Sequence, residues 1–408
     1  MYLPRLLEKT LKNALKTFPA VIVTGPRQSG KTTLVRHVLG KSHRYVSLDE
    51  LDIRQSAIED PRGFLERNPA PLILDEIQNA PELLPYIKAK IDQKRTPGQW
   101  ILTGSQQFTL MRNVSESLAG RVAILPLYSL TLSEINQTLR PSLDDAESFL
   151  QSLMRPKKMR DNLSISCGRW LLEGGYPQLL THHKLSKNLW FSSYVQSYID
   201  RDVRGNLRSS NINDFEKFLK LLASRTSQEM NYSILSREIG ITVPTIKSWV
   251  SLLEASSLIY LLQPYHRNFG KRIIKSPKMY FMDTGLVSYL VGLQNETHLL
   301  DGPMAGALFE TAVVTEFVKR FRAFIDPCSL YFWKSVDGFE VDFLVESAQR
   351  ITPIEIKLSA TINHAHLSSM RHWFDLSGKL SNNGLIISNS KQHGLIDSKI
   401  ANCHFSRL

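Results

Sequence analysis

The chain has 408 residues, of which 42% are hydrophobic and 22% charged, and its 50 Lys and Arg against 38 Asp and Glu leave a formal charge of +12. That balance excludes a disordered or fibrous chain and predicts two or three domains with sizeable cores, while the cationic excess favours an acidic partner, nucleic acid ahead of a membrane surface. Three scattered cysteines, no apolar run of transmembrane length and no apolar centre near the start lead to the expectation of a cytoplasmic protein with reduced thiols and no membrane association.

Tyr2 to Lys16 reads as an amphipathic helix with Leu3, Leu7, Leu11 and Leu15 on one face and its charges in solvent. A buried strand, Ala20 to Val23, then runs into Gly25-Pro26-Arg27-Gln28-Ser29-Gly30-Lys31-Thr32-Thr33, and an amphipathic helix leaves it. Two glycines that let the backbone curl, followed by a helix N-terminus, make a phosphate cradle. In it Lys31 would reach the outer phosphates of ATP and Thr32 would ligate Mg²⁺ through its hydroxyl.

Tyr45 to Leu48 reads as a second strand. Pro71-Leu72-Ile73-Leu74-Asp75-Glu76 is a third, ending in adjacent carboxylates whose side chains diverge. Asp75 would serve Mg²⁺ and Glu76 would polarise the water attacking the γ-phosphate. Gln99 to Gln106 is another buried strand with a polar end, where Thr103 or Ser105 would sense the γ-phosphate. Arg121, at the end of Ser117-Leu118-Ala119-Gly120, reads equally as an arginine finger, for its own chain or a neighbour, and as a helix-terminal cation.

The succession GPRQSGKTT, LILDEIQ, ILTGSQ and SLAGRV resembles the AAA-type ATPases of bacteria and archaea whose C-terminal half is a domain of unknown function. The likeness continues in GGYP (Gly174 to Pro177), YIDRDV (Tyr198 to Val203), LEASSLI, KSPKMYFMDTGL and FEVDF. It implies Mg²⁺-dependent ATP binding and hydrolysis. It also places Asp200 to Arg204 near the join between the ATPase and the C-terminal half, although intrahelical ion pairs explain those residues equally well.

Residues 136–162 change composition and read as a linker or lid. Tyr232 to Gly240 and Pro244 to Glu254 read as two helices joined by a brief turn, followed by strands and basic residues, the order of a winged helix-turn-helix. Thr245, Lys247 and Ser248 would face a DNA groove and Lys271, Arg272 and Lys275 would sit on phosphates, unless the unit is a packing module. Further on, Asp283 or Thr284 reads as a helix N-cap.

A helix carrying Glu310 precedes the strand Phe339 to Val345, with Asp342, and then Glu355-Ile356-Lys357. Glu355 and Lys357 share one face of their strand and Asp342 lies on a neighbour. The set resembles the restriction-endonuclease-like nucleases, in which two carboxylates hold Mg²⁺ and a lysine positions water. Glu310 would add a third carboxylate to this second Mg²⁺ site. An inert surface hairpin is the alternative.

The expected fold is thus α/β: a P-loop NTPase of AAA type with a parallel sheet (1–140), a linker and helical region (141–225), a winged-helix-like region (226–275) and a small restriction-endonuclease-like α/β domain (276–408). The expected function is an ATPase acting on DNA. A nucleotide-dependent signalling or scaffold switch with an inactive nuclease-like domain stands against it, RNA is the second choice of nucleic acid, and a homo-oligomer or protein partner stays open.

Overall fold

The computed structural model describes residues 2–105, 114, 116–139, 145–155, 165–182, 184–199, 212–266, 276–324, 328–347 and 350–408. They divide into two compact units, Met1–Leu130 with Ala255–Ser257 and Thr131–Glu254 with Leu258–Leu408.

The first unit is built on five parallel strands, β1 (Ala20–Gly25), β2 (Arg44–Ser47), β3 (Leu72–Asp75), β4 (Trp100–Ser105) and β5 (Val122–Pro126), in the order β2-β3-β4-β1-β5. Every residue of β1, β3 and β4 is buried, which is why they read as continuous rather than alternating apolar runs. Because all five run the same way, Gly25, Ser47, Asp75, Ser105 and Pro126 end on one edge. The chain reverses its order around β1, and that is where a parallel sheet opens a crevice for ligands.

The N-terminal helix, α1, runs over Leu7–Thr17, beginning five residues later than its leucine spacing predicts. Pro4 lacks an N–H and biases Leu3 away from helical backbone, so the first turn cannot form there. Leu7, Leu11 and Ala14 are the residues of α1 that are buried. Arg5, expected in solvent, is only 6% exposed.

The second unit carries a nine-stranded mixed sheet made of β6 (Gln228–Glu229), β7 (Ile259–Pro264), β8 (Lys278–Phe281), β9 (Ser329–Lys334), β10 (Glu340–Ser347), β11 (Arg350–Lys357), β12 (Gly384–Ser388), β13 (Gly394–Leu395) and β14 (Ile400–His404). Their order is β13-β14-β12-β11-β10-β9-β7-β8-β6. The long helix Ala305–Ala323 packs on β8 and β11. Strand β7 pairs with β8 antiparallel and with β9 in parallel, so the stretches read as 226–275 and 276–408 share one sheet. Local periodicity carries no information about that long-range pairing, which closes edges that would otherwise be left with unpaired N–H and C=O groups.

Helices Tyr232–Ile239 and Val243–Ala255 precede β7. Gly240, at φ +82°, ends the first in the left-handed conformation that glycine adopts without strain. Trp249 anchors the second, its ring 5.2 and 5.3 Å from those of Phe215 and Phe218. Asp283 caps its helix as expected, accepting from Gly285 N (3.0 Å) and Leu286 N (3.3 Å). Asp200 to Arg204 and Lys271, Arg272 and Lys275 lie outside the described residues. Among the described residues, no helix is long and apolar enough to cross a membrane.

Candidate functional site

Strand β1 delivers the loop after it to the carboxyl edge, and helix α2 (Lys31–Leu39) carries the chain away. Gly25 has φ +144°, and a Cβ there would lie 2.0 Å from the carbonyl oxygen of Leu127, so no other residue fits without moving backbone. Gly30 enters α2 at φ +93°. Lys31 is buried, and its Nζ donates to the carbonyls of Gly25 (3.1 Å) and Pro26 (3.0 Å). The buried Ser29 Oγ has no hydrogen-bond partner among the described residues. A helix N-terminus, a lysine resting on the loop's own carbonyls and an unsatisfied buried hydroxyl fit a site that takes an anion. Arg27 is half-buried, and Gln28 and Thr33 are exposed.

The acidic end of β3 lies beside α2. Asp75, 5% exposed, accepts from three hydroxyls: Thr32 Oγ1 (3.0 and 2.9 Å to its two oxygens), Tyr45 (2.7 Å) and Thr103. A buried carboxylate against a threonine hydroxyl is the hard-oxygen donor set that suits Mg²⁺. Tyr45 reaches it from β2, with the Arg36 guanidinium 4.8 Å from its ring centroid. Burial, and then the neighbouring Asp75, push the Tyr45 hydroxyl far above its ordinary pKa, so it remains a donor. Tyr45→Phe removes one of these three bonds. It is expected to weaken Mg²⁺-dependent nucleotide binding by about 1 kcal/mol, read by calorimetry, with the melting temperature little changed.

Glu76 leaves the strand at φ +58°, a left-handed conformation uncommon for a side-chain-bearing residue and a form of backbone strain found at functional sites. Its N–H donates to Thr103 Oγ1 (3.2 Å), and the Gln78 amide holds its carboxylate. Thr103 therefore joins Asp75 to Glu76, its hydroxyl accepting from the Glu76 amide and donating to the Asp75 carboxylate. Ser105 sits opposite Gly25 in the register of β1 and β4, and its buried Oγ has no partner among the described residues.

Arg121 is a correction. It precedes β5, and its carbonyl accepts from Ala20 N, which places it at the amino edge, the length of a strand from Gly25. Its guanidinium grips Asp92 at 2.6 and 3.1 Å. That placement speaks against a finger for the phosphate loop of its own chain and agrees with the helix-terminal reading, the guanidinium also donating to the Ala119 carbonyl (2.9 Å); a neighbouring chain's site stays open to it.

In the second unit, β10 and β11 pair antiparallel so that Asp342 and Glu355 follow the Phe343–Ile354 pair. The register of β10 on β9 slips between Val341 and Leu344, and such a bulge re-aims the side chain it carries, here Asp342. Asp342 Oδ2 accepts from Ile356 N (2.9 Å) and Lys357 Nζ (3.0 Å), and Lys357 Nζ lies 2.9 Å from Glu355 Oε2. The structure thus joins Asp342, Glu355 and Lys357. Burial, reinforced by Asp342, pushes the Glu355 carboxyl well above its usual range, while Lys357 and Lys278 outweigh burial and hold Asp342 below its own.

Glu310 is the second correction. Its Oε1 accepts from Lys278 Nζ (3.1 Å) and the Tyr280 hydroxyl (2.7 Å), both on β8, and Lys278 also pairs with Glu340. Among the described residues, no three His, Cys, Asp or Glu side chains are grouped to hold a metal ion, so Glu310 does not complete a ligand set with Asp342 and Glu355. Burial pushes Glu310 to about 7, with Lys278 opposing it. The folded chain consequently binds more protons than the unfolded one between the ordinary value of 4.5 and about 7, and this group's contribution falls as pH rises through that window. Glu310→Gln should flatten that part of the stability profile, measured by urea unfolding across it.

Lys247 and Ser248 are exposed on the helix Val243–Ala255 and Thr245 is half-buried. Arg5, Tyr45, Lys278 and Tyr280 escape sequence reasoning. Only Lys278 leaves a trace, as a lone cation in the apolar run Lys278–Phe281.

Residues 17–136 match a family model described as an AAA domain, and residues 166–297 and 305–405 match two models described as domains of unknown function (DUF8612 and DUF4143). An uncharacterized protein of Mycobacterium tuberculosis is 28% identical over 352 residues, which is 86% of this chain and 73% of that protein. One of Methanocaldococcus jannaschii is 24% identical over 305 residues, 68% and 63% of the two. Of solved structures, the Walker-type ATPase of Pyrococcus abyssi is 15% identical with a TM-score of 0.42, covering 70% of this chain and 94% of that one. The sequence match at 17–136 and the five-stranded parallel sheet together make the N-terminal unit an α/β domain resembling P-loop ATPases, and the larger second unit carries a mixed sheet.

Proposed function

We propose that the chain binds and hydrolyses ATP with Mg²⁺ at the carboxyl edge of the five-stranded sheet. The observation that carries this is the convergence of Lys31, Thr32, Asp75, Thr103 and Glu76 where an AAA-type sequence match and a parallel-sheet crevice coincide. Lys31 exchanges the carbonyls of Gly25 and Pro26 for the outer phosphates. Thr32 and Asp75 would hold Mg²⁺, which would supply positive charge for stabilising the phosphates. Glu76 orients and polarises the attacking water, kept in place by Gln78 and by Thr103 behind its amide. ATP turnover measured with and without Mg²⁺, and with and without DNA, tests the reading; no turnover in any condition overturns it.

The second unit extends the reading to DNA. Lys247, Ser248 and Thr245 would meet the groove, and the cationic excess would provide the salt-dependent attraction to phosphates. Asp342 and Glu355 would hold a divalent cation and Lys357 would position water for phosphodiester cleavage. One observation favours the rival reading, a nucleotide-dependent switch with an inert binding domain. Lys357 is closed onto both carboxylates, and Glu355 is driven toward its protonated form, so the cluster can be neutral within itself. Metal-dependent cleavage separates the two readings, because only the first yields products that disappear in an Asp342 variant.

A further inference from the structure

Among the described residues Lys31 and Arg5 both brace the phosphate loop, and they differ in kind. Lys31 lies at its base on the carbonyls of Gly25 and Pro26. Arg5 comes from outside it, with Nη1 donating to the carbonyl of Ser29 (2.8 Å) and Nη2 to that of Tyr128 (2.7 Å), just after β5. A trans peptide points its C=O and the following N–H in opposite directions. Whatever fixes the Ser29 carbonyl therefore fixes the Gly30 N–H on the other side, one residue before Lys31.

The segment bearing Arg5 is itself fastened. The Arg5 N–H donates to Glu8 Oε1 (3.0 Å), which also accepts from the Tyr2 hydroxyl (2.7 Å). The Tyr2 ring stacks on His37 of α2 with centroids 3.7 Å apart. Downstream, Leu7 seats the start of α1 in the core. A rigid planar fork suits two carbonyls from two segments, which a single ammonium serves less well.

We propose that Arg5 is a positioning residue for the phosphate loop: its guanidinium holds the Ser29–Gly30 peptide so that the Gly30 N–H meets a bound phosphate, and it stays in place when Lys31 turns from the loop to the nucleotide. The inference rests on the nucleotide-binding reading above and adds to it a residue from outside the loop, ahead of the segment that matches the AAA model at 17–136. Lys31 changes partners during binding, whereas Arg5 keeps both of its own.

The test is calorimetric binding of ADP with Mg²⁺ to the full chain. Arg5→Met should weaken binding about ten- to a hundredfold, the scale of one lost charge-assisted hydrogen bond, and Arg5→Lys should recover only part of it. Low-millimolar guanidinium should restore affinity to Arg5→Ala. Leu11→Ala, which loosens the same helix without touching the loop, should lower the melting temperature and leave affinity intact. Wild-type affinity in Arg5→Met, or an equal loss in Leu11→Ala, overturns the proposal. Should Arg5→Met fail to fold, Arg5→Lys decides: weaker binding at an unchanged melting temperature supports a positioning role, and wild-type affinity refutes it. Failure of the wild type to bind, with Lys31→Ala indistinguishable from it, removes the nucleotide site itself, and the role of Arg5 with it.

Discussion

Lys31→Ala should abolish measurable ATP binding, and Glu76→Gln should retain it while ATP turnover falls by about 10²- to 10⁴-fold. The two outcomes differ because the residues act at different stages. Lys31 is a buried ammonium that donates to two backbone carbonyls, weaker acceptors than phosphate oxygens. Deleting it removes the charge that meets the triphosphate and leaves two carbonyls of the loop without that donor, a combined loss of about 3 kcal/mol or more. In the proposed mechanism Glu76 acts on water and contributes little to holding nucleotide. As glutamine it keeps its backbone bond to Thr103 and its size, but it cannot take up a proton from water. Equilibrium binding and single-turnover hydrolysis on the same preparations check both. Normal hydrolysis by both variants would show that the site lies elsewhere. Arg121→Ala, at the opposite edge of the sheet, should leave turnover of the isolated chain unchanged.

In the second unit, Asp342→Asn should lower Mg²⁺-dependent DNA cleavage about a thousandfold, roughly 4 kcal/mol of barrier. Asparagine preserves an acceptor for Ile356 N, so the β10–β11 pairing persists and far-ultraviolet circular dichroism should match the wild type. The charge it removes is the one that holds Lys357 and that a cation would need. Cleavage should also rise with pH. Burial and Asp342 keep a proton on Glu355 well above the ordinary glutamate range, and that proton must leave before Glu355 can ligate a cation. Agarose-gel cleavage across pH with both proteins checks this; equal rates with and without Asp342 would leave the cluster as a binding or purely structural feature.

Much of the first site was legible because its chemistry is local. The loop from Gly25 to Thr32 and the strand ending at Asp75 and Glu76 each lie within a few consecutive residues, and backbone geometry alone dictates which residue types can stand there. Glu355 and Lys357 were legible for the same reason, being two positions apart on one strand. Arg5 was not, because its two acceptors are 24 and 123 positions away and nothing in its own neighbourhood announces burial. Strand β14 escaped as well, since Asn402 and His404 break its apolar character. Asn402 is buried there because the Ser388 hydroxyl (2.7 Å) and the Gln392 carbonyl satisfy its amide.

By itself the sequence determined a parallel α/β domain with an anion cradle and an acidic strand end, because loop curvature and strand alternation are properties of neighbouring residues. It also determined that a carboxylate and a lysine share one strand face near the other end of the chain. Tertiary structure alone decided that Arg121 lies at the edge of the sheet opposite the cradle, that Thr103 bonds both Asp75 and the Glu76 amide, and that Lys278 and Tyr280 are hydrogen-bond partners of Glu310. Each of these depends on which strands lie side by side and in what register. That choice is made by pairing between distant segments, which no local pattern encodes.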